Sequence, residues 1–264
     1  MLNRIDIPSL LAVTAAASLL ACRTGAPTPA SSVPDPDAPA PMAAPALTVT
    51  PVSHASFVLR GGEVVLYNDP VGGAEAWASF PPATHVLVSD IHGDHLDSVT
   101  LEAVVRPTTA LIVPRAVADR LSPRLAARAT VLANGDSVVV AGLPVRAVPM
   151  YNLREEALRF HPPGRGNGYV VEVGNERVYV AGDTEDIPEM RALRDIDRAF
   201  VPMNLPYTMP ASAAADAVLA FRPSLVYPYH FRGRPDFGDT AAFRAIVEGG
   251  GESQVVGLDW YGRD

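Results

Sequence analysis

The sequence contains no lysine. All 21 of its basic residues are arginine, which excludes a pyridoxal-phosphate Schiff base and the lysine of a phosphate-binding P-loop. Cysteine is almost as scarce. Cys22 stands alone, so neither an internal disulfide nor a cysteine-rich metal centre can form. Basic runs are missing too, and the net charge is −8. Nucleic acid is therefore a poor partner, because neutralising phosphates takes clustered cations. What remains for chemistry is Asp, Glu, His, Ser, Tyr and Arg. The 48% of hydrophobic residues supplies a sizeable core, which argues against global disorder.

The first residues read as an address. Ile7 to Ala21 is an apolar run following Arg4. It is too short to span a bilayer core, which takes about 20 residues, and has the length of a secretory signal. It ends Leu19-Leu20-Ala21-Cys22, which resembles a bacterial lipobox. That resemblance implies a signal peptide over residues 1–21, lipidation of Cys22, and an exported lipoprotein tethered to the cell envelope without a transmembrane helix. No Asp follows Cys22, which leaves outer-membrane sorting open. Residues 22–46 follow as a linker. Residues 23–46 hold seven Pro and seven Ala and form an extended spacer rather than a core. The globular domain is expected over residues 47–264.

Within that domain short apolar runs alternate with helical patterns. Strands are expected at Leu47–Val52, Ser56–Arg60, Val64–Tyr67, His85–Ser89, Ala110–Val113, Val138–Val140, Leu143–Met150, Tyr169–Val173, Arg177–Ala181, Ala199–Pro202, Ser224–Tyr229 and Val255–Leu258. The spacing predicts helices over Asp97–Val105, Arg115–Ala127, Ile187–Arg194, Pro210–Phe221 and Thr240–Glu248. Two β-rich halves, each trailing helices, point to an α/β fold with two sheets face to face and helices outside.

Metal-type ligands gather at strand ends. Asp90-Ile91-His92-Gly93-Asp94-His95 follows one apolar strand. A sharp loop there can aim Asp90 and His92 one way and Asp94 and His95 the other, enough for two cations. Asp183 follows the strand of a hairpin in Gly182-Asp183-Thr184, and His230 ends Val226-Tyr227-Pro228-Tyr229-His230.

These segments resemble the metallo-β-lactamase superfamily, whose motif is His-x-His-x-Asp-His, with Asp90 in place of the first His. The resemblance implies a single domain built as a four-layer αββα sandwich. It also implies two divalent ions, zinc by default, with manganese or iron favoured if the harder Asp90 oxygen tilts the choice. In this pattern Asp90 and His92 hold one metal, Asp94, His95 and His230 the other, and Asp183 bridges them. One more ligand is needed, and His161 and Asn152 are both candidates. Val52-Ser53-His54-Ala55-Ser56-Phe57 and Tyr67-Asn68-Asp69-Pro70 look like the opening strands of lactonase-like members, which makes His54 and Asp69 supporting residues. The stretches Asp183–Met190, Val201–Asn204 and Tyr207–Met209 look like the L-ascorbate-6-phosphate lactonase branch, and more distantly like a phospholipase D acting on N-acylethanolamine phospholipids.

The implied activity is hydrolysis of an ester, lactone or phosphodiester by metal-activated water, with Asp94 orienting the nucleophile. The substrate is a small molecule or a lipid. Arg154, Arg159, Arg165 and Arg232 are candidate anion clamps, and Trp77, Tyr151, Tyr207, Tyr229 and Phe231 candidate pocket walls. A metal-binding lipoprotein that has lost catalysis and a di-iron redox protein are the other readings of the same pattern.

Overall fold

A computed structural model describes residues 46–262. The expected signal peptide, Cys22 and nearly all of the expected 22–46 linker lie outside the described residues. Among those described, no helix is long and apolar enough to cross a membrane.

Among the described residues thirteen strands form two sheets. The first runs in the order β1 (Thr48–Ser53), β2 (Ser56–Gly61), β3 (Val64–Asn68), β4 (His85–Leu87), β5 (Ala110–Val113) and β6 (Ala129–Val131). Its first three strands pair antiparallel, and the rest are parallel. The second sheet runs from β7 (Ser137–Val140) through β8 (Leu143–Met150), β9 (Gly166–Val173), β10 (Glu176–Val180), β11 (Arg198–Pro202) and β12 (Leu225–Tyr229) to β13 (Gln254–Val255). It too changes from antiparallel to parallel, at β10. Each half thus repeats one plan, a meander followed by parallel strands.

Three separate apolar clusters show how the layers stack. Successive side chains of a strand point to opposite faces, and β11 displays this directly. Phe200 points into the cluster between the sheets, while Ala199 and Val201 pack under helices. The inter-sheet cluster joins Leu66, Leu87 and Ile112 of the first sheet to Val171, Val180 and Tyr229 of the second. Phe57 stacks on Phe200 across it, with centroids 4.2 Å apart. Outside the second sheet lie α4 (Pro188–Arg191), α5 (Ala211–Phe221) and α6 (Thr240–Gly250). Outside the first lie α1 (Ser98–Val104), α2 (Arg115–Ala118) and α3 (Pro123–Ala126). The expected four-layer αββα sandwich is the observed one.

Local expectations fail in a few places. The helix expected over Arg115–Ala127 is two short helices, because the residue before a proline is pushed out of helical geometry. Ser122 is extended (φ −60°, ψ 155°) and caps α3 by accepting from Leu125 N. The helix expected over Ile187–Arg194 is the single turn α4. The closing strand stops at Val255, and β6 is a three-residue strand with no expectation behind it.

Candidate metal centre

Strand ends build the site. The Asp90–His95 loop leaves β4, Asp183 lies three residues past β10, and His230 directly follows β12. β10 and β12 both flank β11 in parallel, so Asp183 and His230 emerge on the same edge. Ligand sites in open α/β sheets gather at such carboxyl ends. His54, Asp69 and His230 each hold a positive φ (50°, 43° and 45°), a conformation that costs a non-glycine residue energy and tends to persist at functional sites. Gly182 (φ +67°) has no room for a side chain: a Cβ there would sit 2.4 Å from Met150 Sδ.

The structure brings the expected ligands into two adjoining groups, Asp90, His92 and His161, and Asp94, His95 and His230. Asp183 stands between them. Its Oδ2 is 3.1 Å from His161 Nε2 and 3.3 Å from His95 Nε2, and its Oδ1 is 3.3 Å from His230 Nε2. His95 and His230 approach with their Nε2 atoms 3.2 Å apart. Asp94 reaches both of these rings, 3.8 Å from His95 Nε2 and 3.4 Å from His230 Nε2. Its side chain is 42% exposed, while Asp90 and Asp183 are buried. The site opens into a cavity of about 630 Å³ lined by His92, Asp94, His161, Asp183 and His230 together with His54, Arg232 and Arg234.

Supporting contacts fix which ring nitrogen faces inward. A carboxylate only accepts, so His95 Nδ1 donates to Asp69 Oδ2 at 2.9 Å. Asp69 is held in turn by Ser89, through its N–H (2.7 Å to Oδ1) and its hydroxyl (2.7 Å to Oδ2). His161 Nδ1 likewise donates to the Tyr207 carbonyl at 3.1 Å. Its Nε2 then presents a lone pair to Asp183 Oδ2, another acceptor. His161 Nε2 and Asp183 Oδ1 are buried and find no hydrogen bond among the described residues. The Nε2–Oδ2 pair at 3.1 Å needs either a proton or a metal cation between its two atoms, and imidazole with carboxylate is the donor set of divalent first-row metals. The residues fit such a centre.

The site's charges are strongly coupled. Burial would raise the carboxyl pKa of Asp183, but His230, His95 and His161 outweigh it and hold the group well below the usual range. Asp94 is lowered against burial by His95 and His230. His95 is held well above the ordinary imidazole value, where Asp183, Asp69 and Asp94 overcome its burial. His54 moves the other way, to about 4, through burial and the nearby His230 and Arg232.

Not every candidate faces the centre. Asn152 stands behind His161: its Nδ2 donates to the Ala157 and Tyr207 carbonyls and lies 3.2 Å from His161 Nδ1. The structure therefore turns His161, not Asn152, towards Asp183. His54 packs edge-on to His230 and accepts from Arg232. Of the arginines put forward as clamps, Arg154 is tied to Glu185 at 2.7 Å, Arg159 covers Phe160, and Arg165 is paired with Asp90. Arg232 does line the cavity, and so does Arg234, which the sequence reading missed. Of the aromatic candidates only Tyr207 lines it. Trp77 and Tyr229 are core residues, and Phe160 forms a wall in their place. Ser89 was also missed, although its position beside Asp90 was a usable signal.

Asp69→Asn is expected to lower metal affinity about 10- to 100-fold, the usual effect of losing the partner that orients a ligating imidazole. Competition with a chromophoric chelator measures it. A change under about threefold would show that the Asp69–His95 contact is not coupled to the centre.

A family profile described as "Beta-lactamase superfamily domain" matches residues 48–230. The UPF0173 metal-dependent hydrolase of Thermococcus onnurineus is 27% identical over 213 residues, spanning 78% of this chain and 93% of that protein. Among solved structures, a candidate metal-dependent hydrolase from Parabacteroides distasonis is 35% identical, covers 81% of this chain and 94% of its own, and superposes with a TM-score of 0.72. Igni18, a metallo hydrolase of Ignicoccus hospitalis, is 21% identical over 80% of this chain and 94% of its own, with a TM-score of 0.68, a likeness of fold.

Proposed function

Because the chain belongs to the beta-lactamase superfamily, we propose that it is a metal-dependent hydrolase of an ester, lactone or phosphodiester, with a two-cation centre on Asp90, His92, His161, Asp94, His95, His230 and bridging Asp183. The acceptor-to-acceptor contact between His161 Nε2 and Asp183 Oδ2 carries the reading. Relatives named as metal-dependent hydrolases support it. The lactonase-like branch is the finer reading, supported by the positions of His54, Asn204 and Tyr207 on the cavity wall. Export as a lipoprotein through Cys22 is proposed on the lipobox resemblance.

Divalent cations held by these residues would supply Lewis acidity for activating a water molecule. The chain's own residues do the rest. Asp94 is the more exposed of the two acids, Asp94 and Asp183, that line the cavity. Its lowered pKa suits it to accept a hydrogen bond from the attacking water and to pass the proton on, not to store it. The water oxygen bonds to the carbonyl carbon or phosphorus, the bond to the leaving oxygen breaks, and the proton ends on that oxygen. Asp69 and the Tyr207 carbonyl keep His95 and His161 in one orientation.

His54 stays neutral at pH 7 and holds Arg232 by accepting its N–H. Arg232 and Arg234 form no ion pair among the described residues. Two guanidiniums on the cavity wall, free of ion pairs among the described residues, favour a substrate carrying an anionic group. The test is a panel of neutral and anionic esters, lactones and phosphodiesters, assayed before chelation, after it, and after metal restoration. Turnover should vanish and return, and Arg232→Ala should raise KM about tenfold for anionic substrates only. Hydrolysis that survives complete chelation would overturn the reading.

A further inference from the structure

Asp90 departs from the family motif, and its surroundings give the departure a physical meaning. The side chain is wholly buried. Arg165 grips it with both ends of its fork, Nε to Oδ1 at 3.0 Å and Nη2 to Oδ2 at 2.8 Å. The same Nη2 donates to the Phe160 carbonyl. On the other side, Oδ2 lies 2.8 Å from His92 Nδ1. A bidentate pair of this kind fixes geometry as well as charge.

The backbone holds the pair in place. Arg165 precedes β9, whose first residues are fastened to the metal-ligand loop by Asn167 N donating to the Ser89 carbonyl at 3.0 Å. Gly166 allows that approach, since a Cβ there would meet Met150 Cε at 2.1 Å and Ser89 O at 2.9 Å. Asn134 Nδ2 also donates to the Gly166 carbonyl, at 2.8 Å. Arg165 therefore comes to Asp90 on a rigid strand end and not on a loose loop.

We propose that Asp90 and Arg165 act as one unit, an ion pair that replaces a neutral imidazole, with Arg165 as a positioning residue that cancels the carboxylate's charge and aims Oδ2 to the His92 and His161 side of the centre. The inference rests on the metal-centre reading and deepens it. A carboxylate in place of an imidazole adds one negative charge to the centre, and the guanidinium returns the total to that of a His site. The pair is thus interdependent. Restoring the family's His at residue 90 leaves a half-buried guanidinium without its carboxylate, facing the cations it would repel.

The experiment measures Zn²⁺ affinity and stoichiometry, by chelator competition and elemental analysis, for the full chain and its D90H, R165M and D90H/R165M variants. D90H completes the His-x-His-x-Asp-His motif, yet it is expected to bind Zn²⁺ at least about tenfold more weakly. Adding R165M should bring affinity back to within about threefold of the unmodified chain. A purely structural salt bridge would shift the melting temperature and leave Zn²⁺ affinity unchanged. Should D90H fail to fold, the isosteric D90N and D90N/R165M carry the same comparison. Tight Zn²⁺ binding by D90H alone, or no recovery on adding R165M, overturns the pair while leaving the metal centre standing. An unmodified chain that takes up no Zn²⁺ overturns both.

Discussion

Asp183→Ala is expected to empty the centre and lower kcat/KM by at least about 10³-fold, beyond the 10- to 100-fold cost of losing an orienting partner. Asp183 is the one carboxylate whose oxygens face both groups of ligands, with His161 and His95 on Oδ2 and His230 on Oδ1. Removing it takes away the one carboxylate shared by three buried imidazoles and leaves only the half-exposed Asp94 beside His95 and His230. The fold should survive, because the sheet beneath is held by β10 pairing with β9 and β11, and Asp183 contributes no side chain to the apolar clusters. Elemental analysis, steady-state kinetics and circular dichroism separate these effects. A variant that keeps its metal and its turnover would remove Asp183 from the centre.

Phe200→Ala carries the largest expected loss of stability, about 3–5 kcal/mol. Phe200 is wholly buried between the sheets, stacks on Phe57 at 4.2 Å and Tyr227 at 4.8 Å, and meets Tyr229 and Trp260 edge-on. Truncation leaves a cavity lined by rigid aromatic rings from both sheets, with little freedom to collapse. At about 2–4 °C per kcal/mol for a domain of this size, the melting temperature should fall by about 6–20 °C. Val139→Ala, at a side chain 65% exposed, serves as the control and should stay within about 0.5 kcal/mol. Calorimetry reads both. A drop under about 2 °C for Phe200→Ala would mean that the inter-sheet cluster does not hold the sandwich together.

Much of this architecture was legible in the sequence because buried strands leave compact apolar runs. The strands expected at His85–Ser89, Ala199–Pro202 and Ser224–Tyr229 could be placed, to within two residues, without knowing their partners. Ligands at strand ends were legible for the same reason, since a polar cluster directly after an apolar run marks where a strand leaves the core. Short-range competition was harder to read. Pro123 divides a pattern that otherwise looks helical, and only the extended backbone of Ser122 makes the division plain. Long-range pairing left no signal at all. Arg165 meets Asp90 across 75 positions, and nothing in its neighbours distinguishes it from Arg159, which covers a phenyl ring. The choice between His161 and Asn152 likewise turned on which side chain faces Asp183, a matter of the loop carrying Tyr207. The positive φ values of His54, Asp69 and His230 belong to the same class, imposed by the fold on residue types that do not announce them.

Metal content is the most direct test of the central claim, that side chains from β4, β8–β9, β10 and β12 converge on a shared cation centre. The full chain, stripped with chelator and then dialysed against Zn²⁺, Mn²⁺ or Fe²⁺, is measured by elemental analysis beside His95→Ala. The expected result is stoichiometric uptake of at least one of these ions by the unmodified chain and its loss in His95→Ala, with the circular dichroism spectrum unchanged. Equal metal in both proteins, or none in either, would contradict it.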